Sequence, residues 1–216
     1  MNRLPTIVRQ HIAALRALLV FTVICGIVYP VVMWGVAQVA FKNQADGSLV
    51  SYKGQVVGSS LLCQEFVDAK GNPLPQYFQE RPSSAVNSAV KTDYGCDPGF
   101  SAASNLGPNN PTLTQSVEQR RAAIATFDGV SPSQVPPDAV TASGSGLDPD
   151  ISPQYADIQV NRVAAARHLP ASTVQALVSK YTQGRTLGFL GEPRVDVLNL
   201  NIALDELSAG GANGGS

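Results

Sequence analysis

Histidine and cysteine are scarce in this chain, which has only two histidines and three cysteines. The histidines, His11 and His168, stand far apart, and no Cys-x-x-Cys or mixed Cys/His spacing occurs. A structural zinc site requires four such ligands in closely spaced pairs. The sequence therefore predicts no metal site.

Positive charge is also scarce, since charged residues make up 14% of the chain and acids slightly outnumber bases. Proteins that bind nucleic acids carry a basic patch, and this chain lacks the residues to form one. A G-x-x-x-x-G-K-[ST] phosphate loop and a G-x-S-x-G nucleophile motif are absent as well. We therefore predict no catalytic residues.

A long uncharged stretch organises the rest of the chain. Residues 17–41 contain no charged side chain. As a helix rising ~1.5 Å per residue they would extend roughly 37 Å, enough to cross a hydrocarbon core of ~30 Å. A retained transmembrane helix is favoured over a buried soluble helix, and over a cleaved signal peptide with Gly35-Val36-Ala37 at its cleavage site, because signal h-regions are shorter.

The predicted span carries features that affect its shape and packing. Pro30 lacks an N–H and crowds the preceding turn, so it should kink the helix. Thr22 and Gly26 form a small-xxx-small pair that permits close approach of a second membrane helix. Cys25 lies within the span and is interpreted as a small apolar residue.

Charge asymmetry predicts the orientation of the chain. Residues 1–16 hold three arginines and no acid, whereas residues 42–216 hold twelve basic and sixteen acidic residues. By the positive-inside rule, residues 1–16 form a cytoplasmic stub too short to fold, and the protein crosses the membrane once. Residues 42–207 form the exported domain, and residues 208–216, rich in small residues, form a disordered tail.

The exported part mixes helical and strand patterns. A short hairpin is predicted around Lys53-Gly54, and an amphipathic helix from Thr112 to Phe127. Ser152 with Pro153 begins a second helix that should end near His168, followed by a third over residues 172–182. Residues 195–198 alternate like a strand. The fold class is therefore a single N-terminal transmembrane helix followed by a mixed α+β domain, with residues 60–67 left as helix or strand.

Two segments draw attention as functional surfaces. Residues 70–111 are rich in Gly, Pro, Asn and Ser, and so long a stretch without regular structure is usually an ordered functional segment. Residues 143–148 form a glycine- and serine-rich loop, interpreted as a tight turn whose hydroxyls bind their own backbone, with ligand or partner contact as the alternative. Gln159 and Arg162 lie three residues apart on a helix, either as one polar patch or as a solvated face. Arg81 is either a loop charge or a contact residue.

Cys63 and Cys96 both lie in the part predicted to be exported. Because oxidising compartments permit disulfides, we predict that they pair. Two buried free thiols are the alternative.

These segments together resemble the KdpC family, a component of the Kdp-type high-affinity potassium-transporting ATPase of bacteria, over nearly the whole chain. The segments that carry the resemblance are Gly26 to Pro30, Gly58-Ser59-Ser60-Leu61-Leu62, Tyr77-Phe78 with Arg81-Pro82-Ser83, Ser104-Asn105-Leu106-Gly107, Thr141-Ala142-Ser143-Gly144-Ser145-Gly146-Leu147-Asp148, Ile151-Ser152-Pro153, Gln159 with Arg162, Gly191-Glu192-Pro193-Arg194 and Leu198-Asn199-Leu200-Asn201. Two departures, Cys63 in place of a usual glycine and the region that brings in Cys96, strengthen the prediction of a disulfide.

The resemblance implies a non-catalytic subunit of a potassium pump in the bacterial inner membrane. Its partners would be a channel-like potassium-translocating subunit, a P-type ATPase subunit and a small single-span subunit. Lys91-Thr92-Asp93 is not the Asp-Lys-Thr-Gly phosphorylation motif, which agrees with a non-catalytic role. Potassium would be the transported ion, and ATP binding at Gln159 or residues 143–148 is implied by analogy only. A stand-alone membrane-anchored envelope binder is the alternative function.

By the same resemblance, the residues expected to contact partners form a defined set. They are Arg81, Asn105, Leu106, Gly107, Ser143, Gly144, Ser145, Gly146, Leu147, Asp148, Gln159 and Arg162, with Thr22, Gly26 and Pro30 packing the membrane helix.

Overall fold

The computed structural model describes residues 5–87 and 95–212, with side chains as far as Ser208. It divides the chain into two compact units, Met1–Leu49 and Val50–Ser216. The first unit is built on one long helix, and the second combines five helices with short strands. A single long apolar helix followed by mixed helices and small sheets agrees with the predicted fold class.

The first unit consists of helix α1 (Thr6–Val23), a π-helical turn (Ile24–Val28), α2 (Tyr29–Ala40) and the short α3 (Lys42–Ala45). Together Thr6–Ala40 form 35 residues apolar and long enough to cross a membrane. The helix begins well before the predicted span. The expectation that residues 1–16 are too short to fold is therefore wrong for residues 6–16, which extend the helix.

Pro30 acts on the helix as a local widening of one turn. The Tyr29 N–H donates to the Ile24 carbonyl, five residues earlier, as in a π-helix. A proline ring crowds the carbonyl four residues before it, which here belongs to Gly26, and it leaves that carbonyl without its donor. The wider turn at Ile24–Val28 relieves this crowding, so the perturbation predicted at Pro30 takes the form of a π-bulge.

The second unit contains two small antiparallel sheets and five helices. Strands β1 (Leu49–Tyr52) and β2 (Gln55–Ser59) form the predicted hairpin. The helices are α4 (Pro111–Asp128), α5 (Pro137–Val140), α6 (Pro153–Arg167), α7 (Ala171–Tyr181) and α8 (Val197–Ala212), with a 3₁₀ turn at Pro132–Gln134. The hairpin turn has positive φ at both Lys53 and Gly54, so the backbone adopts the twist that a two-residue hairpin favours.

The helix boundaries follow local capping. Ser152 accepts a hydrogen bond from the Tyr155 N–H at 3.0 Å, and Pro153 occupies the first turn of α6, as predicted. At its other end α6 stops at His168, whose φ of 55° is left-handed. Asn110 caps α4 in the same way, and Gly129 ends it with a φ of 67°. The sequence predictions for α4, α6 and α7 are confirmed.

A three-stranded sheet in the order β3-β5-β4 packs against these helices. It is formed by β3 (Asp150–Ile151), β5 (Arg194–Asp196) and β4 (Thr182–Gln183), with Ile151 opposite Val195 and Thr182 opposite Val195 on the other side. Val195 is fully buried. The apolar core lies between this sheet and α6, α7 and α8, and its fully buried members include Phe78, Val163, Val174, Leu200 and Leu204.

Three details differ from the predictions. Strand β5 ends at Asp196 rather than at Leu198, because the Asp196 carboxylate accepts the Asn199 N–H at 2.8 Å and caps α8. Residues 60–67 form neither of the two predicted elements, only turns and an isolated bridge at Val67. Helix α8 continues to Ala212, so the expectation of a disordered tail from Ser208 is wrong for residues 208–212.

Candidate functional site

An extended segment, residues 75–83, connects the two groups of predicted site residues; we call it the strap. One part of the strap is held by side chains of α6 and α8, and the other part lies against the loop of residues 143–148. The strap contains no helix or strand, so its backbone polar groups depend on partners from elsewhere in the fold. Those partners turn out to be the predicted Gln159, Arg162 and Arg81 region.

Arg162 holds the first part of the strap. Its guanidinium donates to the carbonyls of Pro75 and Tyr77 at 2.6 and 2.8 Å, and to the Asp128 carboxylate at 2.7 Å. The same group stacks over the Phe127 ring, with 4.3 Å from the guanidinium carbon to the ring centroid. The side chains of Arg162 and Asp128 are almost fully buried. Burial raises the pKa of Asp128, although its bond to Arg162 pulls in the opposite direction.

Gln159 and Asn201 hold the middle of the strap as paired amides. Gln159 accepts the Gln79 N–H at 2.7 Å and donates to the Gln79 carbonyl at 3.2 Å. Asn201 does the same for Phe78, at 2.9 and 3.0 Å. Gln159 is fully buried and also accepts from Arg162 at 2.6 Å. The interpretation of Gln159 and Arg162 as an exposed polar patch is therefore wrong, and so is the solvated-face alternative, because both side chains are used inside the fold.

The loop of residues 143–148 is closed by its own hydroxyls. Ser143 Oγ accepts the Gly146 N–H at 2.8 Å, and Ser145 Oγ accepts the Leu147 N–H at 3.1 Å. This is the tight-turn interpretation of the loop. Two N–H groups that a phosphate cradle would present are thereby occupied, and Asp148 adds negative charge. The loop therefore does not fit a nucleotide phosphate.

Neighbouring segments lock the loop in place. The Cys63 N–H donates to the Leu147 carbonyl at 3.1 Å, and Ser83 Oγ donates to the Gly146 carbonyl at 2.6 Å. Gly146 has a φ of 72°, and a Cβ at this position would lie 2.5 Å from the Ala102 carbonyl oxygen. Only glycine satisfies both conditions. Gly144, in contrast, has no atom within 4 Å of such a Cβ.

Arg81 bridges the strap and the loop on a half-exposed surface. Its guanidinium donates to the Asp148 carboxylate at 2.7 Å and to the Thr141 carbonyl at 3.4 Å. Open clefts of about 520 and 780 Å³ flank this ion pair, and both are lined by Arg81 and Asp148. The first cleft is also lined by Leu61, whose side chain is exposed. The site is thus a rigid, mixed polar and apolar surface.

Glu80 lies beside Arg81 with its carboxyl group turned into the protein. Both carboxylate oxygens are buried, and neither meets hydrogen-bond geometry with a partner in the described part of the chain. Burial raises the pKa of Glu80 well above its ordinary value, and the negative charges of Asp196 and Asp148 raise it further. The backbone of Gln64 opposes this shift without reaching hydrogen-bond geometry. The Glu80 side chain is therefore neutral over a wide pH range.

Residues 105–107 lie apart from this surface. Asn105 has a φ of 54° and donates to the Ala103 carbonyl at 3.2 Å, forming its own turn. The segment meets the loop only at its start, where Ser101 Oγ and the Ala102 N–H donate to the Ser145 carbonyl at 2.9 and 3.0 Å. The hydrogen bonds of the described residues do not bring Asn105, Leu106 and Gly107 to the loop.

Cys63 and Cys96 form a disulfide beside the loop, with an S–S distance of 1.99 Å. In the first unit, Thr22, Gly26 and Pro30 lie on the long exposed helix, and a Cβ at Gly26 would meet nothing within 4 Å. This helix face is therefore open to a neighbour.

The arrangement offers no nucleophile with an adjacent base. The Ser143 and Ser145 hydroxyls serve the loop backbone, and His168 lies exposed at the end of α6, where it caps the helix. Within residues 5–87 and 95–212, the structure contains no group of three or more His, Cys, Asp or Glu side chains that could hold a metal ion.

Sequence reasoning missed Asn201 and Glu80. Asn201 stands among the apolar positions Leu198, Leu200 and Leu204, and a polar residue inside such a run is the signal for a buried hydrogen-bonding role. Glu80 gave no signal, because its neighbours Gln79 and Arg81 make the segment look solvated.

Comparison with known proteins places this architecture. The family described as K+-transporting ATPase, c chain (KdpC) matches residues 11–206. A protein of Streptomyces coelicolor named potassium-transporting ATPase KdpC subunit is 50% identical over 216 residues, covering 94% of this chain and 95% of that protein. Proteins of the same name from Kineococcus radiotolerans (50% over 201 residues, 93% and 95% covered) and Methylococcus capsulatus (47% over 194 residues, 90% and 96% covered) are similar. The chain therefore belongs to the KdpC family, the c chains of K+-transporting ATPases.

Proposed function

We propose that this chain is the non-catalytic accessory subunit of an ATP-driven potassium uptake complex in the bacterial inner membrane. In this proposal Thr6–Ala40 spans the membrane once, with the N-terminus in the cytoplasm and Val50–Ser216 outside. The second unit contacts the channel-like subunit and covers its outer potassium entrance, and the chain stabilises the assembly with the P-type ATPase subunit. Membership in the KdpC family, together with the rigid strap and loop, is the observation that carries the proposal.

Charge and chemistry support the orientation. The arginines before the uncharged stretch favour a cytoplasmic N-terminus, and the Cys63–Cys96 disulfide suits an oxidising compartment outside the membrane. A helix with an open face at Thr22, Gly26 and Pro30 suits lateral packing against other membrane helices, which small residues allow at close range.

The surface beside Arg81 and Asp148 is the part of the second unit that we assign to partner contact. Preformed surfaces bind with little loss of conformational entropy, and the disulfide, the Gly146 turn and the Arg81–Asp148 ion pair all fix this one. Leu61 supplies an exposed apolar group at its edge. The mixture of one apolar group with a half-exposed ion pair is typical of protein interfaces rather than of ligand pockets.

Nucleotide binding is not part of the proposal. The loop N–H groups of Gly146 and Leu147 are occupied by serine oxygens, and Gln159 is fully buried in the strap contact. Equilibrium dialysis of the detergent-purified chain with ATP should show no saturable binding.

Affinity purification from native membranes grown under potassium limitation tests the proposal. We expect the tagged chain to retain a P-type ATPase and a channel-like polytopic protein in fixed ratio. A Leu61→Glu variant should lose these partners, whereas Leu207→Glu, a matched change at an exposed position on α8, should keep them. Recovery of the unmodified chain alone in mild detergent would contradict the proposal and favour a stand-alone anchored binder.

A further inference from the structure

The connection between β4 and β5 ends in an exposed apolar tip, Leu187 to Leu190. The side chains of Leu187, Phe189 and Leu190 are 79%, 68% and 49% exposed, and Gly188 is the remaining residue. Large apolar side chains are common on protein surfaces one at a time, but a contiguous cluster of them marks an interaction site.

The tip is held in one conformation. Thr186 and Leu190 exchange two backbone hydrogen bonds of 2.9 Å each, and the Gly188 N–H donates to the Arg185 carbonyl at 3.0 Å. Leu187 adopts a φ of 55°, which is unfavourable for leucine and places its side chain at the turn. An ion pair between Arg185 and Glu192, at 2.6 Å, joins the two arms of the connection. Ordering the tip on contact with a partner therefore costs little.

The local charge favours an anionic partner surface. Residues 180–194 contain the cations Lys180, Arg185 and Arg194 against the single acid Glu192, whereas residues 42–216 contain twelve basic and sixteen acidic residues. Arg194 is paired with Asp150 at 3.1 Å, so Lys180 and the half-exposed Arg185 are the cations closest to the surface. Apolar side chains beside basic ones are the composition of segments that lie in the interface of anionic membranes.

The covalent chain keeps the second unit close to a bilayer. The long apolar helix ends at Ala40 and the second unit begins at Val50, so the connecting residues reach at most roughly 35 Å even when fully extended. Tethering at this length gives any weak lipid-binding element on the second unit a high effective concentration of membrane surface.

We propose that the apolar tip, Leu187 to Leu190, inserts into the lipid interface of the outer leaflet as a second membrane contact of the chain. The tip would limit the tilting of the second unit relative to the bilayer. This inference rests on the proposed anchoring by Thr6–Ala40, and the experiment separates the two.

Nitroxide accessibility in the full chain tests the proposal. The chain, in a Cys25→Ser background that leaves the disulfide intact, is labelled after Leu187→Cys or Phe189→Cys and placed in vesicles of phosphatidylethanolamine and phosphatidylglycerol. Labels after Val31→Cys and Gln119→Cys report the anchoring helix and an exposed site on α4. Accessibility to oxygen and to a water-soluble nickel chelate is measured by power saturation.

We expect labels at Leu187 and Phe189 to be accessible to oxygen and at least about five-fold less accessible to nickel than the label at Gln119. Nickel access equal to that at Gln119, with the label at Val31 in lipid, would overturn the insertion and leave the anchoring intact. Nickel access at Val31 would overturn both. Shielding of Leu187 that appears only in the purified complex would identify a protein contact and overturn lipid insertion.

Discussion

The buried carboxyl group of Glu80 makes the stability of the second unit depend on pH in a direction opposite to the usual carboxylate effect. Its pKa in the folded chain lies well above the ordinary value of 4.5, first because of burial and then because of nearby acids. Between those two pKa values the folded state binds a proton that the unfolded state has released. Stability is therefore fully present below about pH 4.5 and falls as pH rises towards the folded pKa.

The size of the effect follows from proton linkage. One bound proton corresponds to about 1.4 kcal/mol of unfolding free energy per pH unit inside this window. Glu80→Gln keeps the shape and removes the titration. Between pH 5 and pH 7 the variant should gain up to about 2.7 kcal/mol relative to the unmodified chain. Asp150, whose pKa burial raises to about 6, acts in the same direction in both proteins and cancels from the comparison.

Urea unfolding of the full chain in detergent, followed by circular dichroism at several pH values, measures this difference. Glu118→Gln, at an exposed position on α4, is the matched control and should leave the pH dependence unchanged. Parallel stability curves for the unmodified chain and Glu80→Gln would refute the assignment of a buried, neutral Glu80.

The remaining predictions address the strap, the loop and the disulfide. Arg162→Lys should lower the unfolding free energy by at least about 2 kcal/mol in urea titrations, because lysine cannot serve the Asp128 carboxylate and two strap carbonyls together; an unchanged midpoint would contradict the clamp. Gly146→Ala should cost at least about 2 kcal/mol in the same assay, whereas Gly144→Ala should stay within about 0.5 kcal/mol, and equal effects would refute the loop geometry. Replacing both bridged cysteines by serine should cost about 3–4 kcal/mol for a sequence separation of 33 residues, and a melting temperature unaffected by the replacement would count against the bond.

Local signals in the sequence predicted the helices well. Ser152 with Pro153, and Asn110 with Pro111, are residues whose side chains and fixed φ begin helices regardless of what packs nearby. The hairpin at Lys53-Gly54 was predicted on the same kind of signal. Strand β5 was extended too far because Val197 and Leu198 continue an apolar pattern that suits both strand and helix, and only the Asp196 cap decides between them.

The candidate site was predicted less completely, since its geometry depends on long-range contacts. The loop at Ser143 to Asp148 and its closeness to Arg81 involve segments far apart in sequence. Gln159 and Arg162 were assigned to a surface because spacing on a helix does not reveal which face is buried. Their real partners are backbone groups of the strap, and no periodic pattern marks those groups.

Potassium-stimulated ATP hydrolysis by the membrane complex, isolated with and without this chain, is the decisive assay of the accessory-subunit role. We expect the chain alone to hydrolyse no ATP, and stimulation by low potassium concentrations to be lost or strongly reduced when the chain is missing. Full stimulation of a stable complex that lacks the chain would rule out this role, and so would ATP hydrolysis by the purified chain.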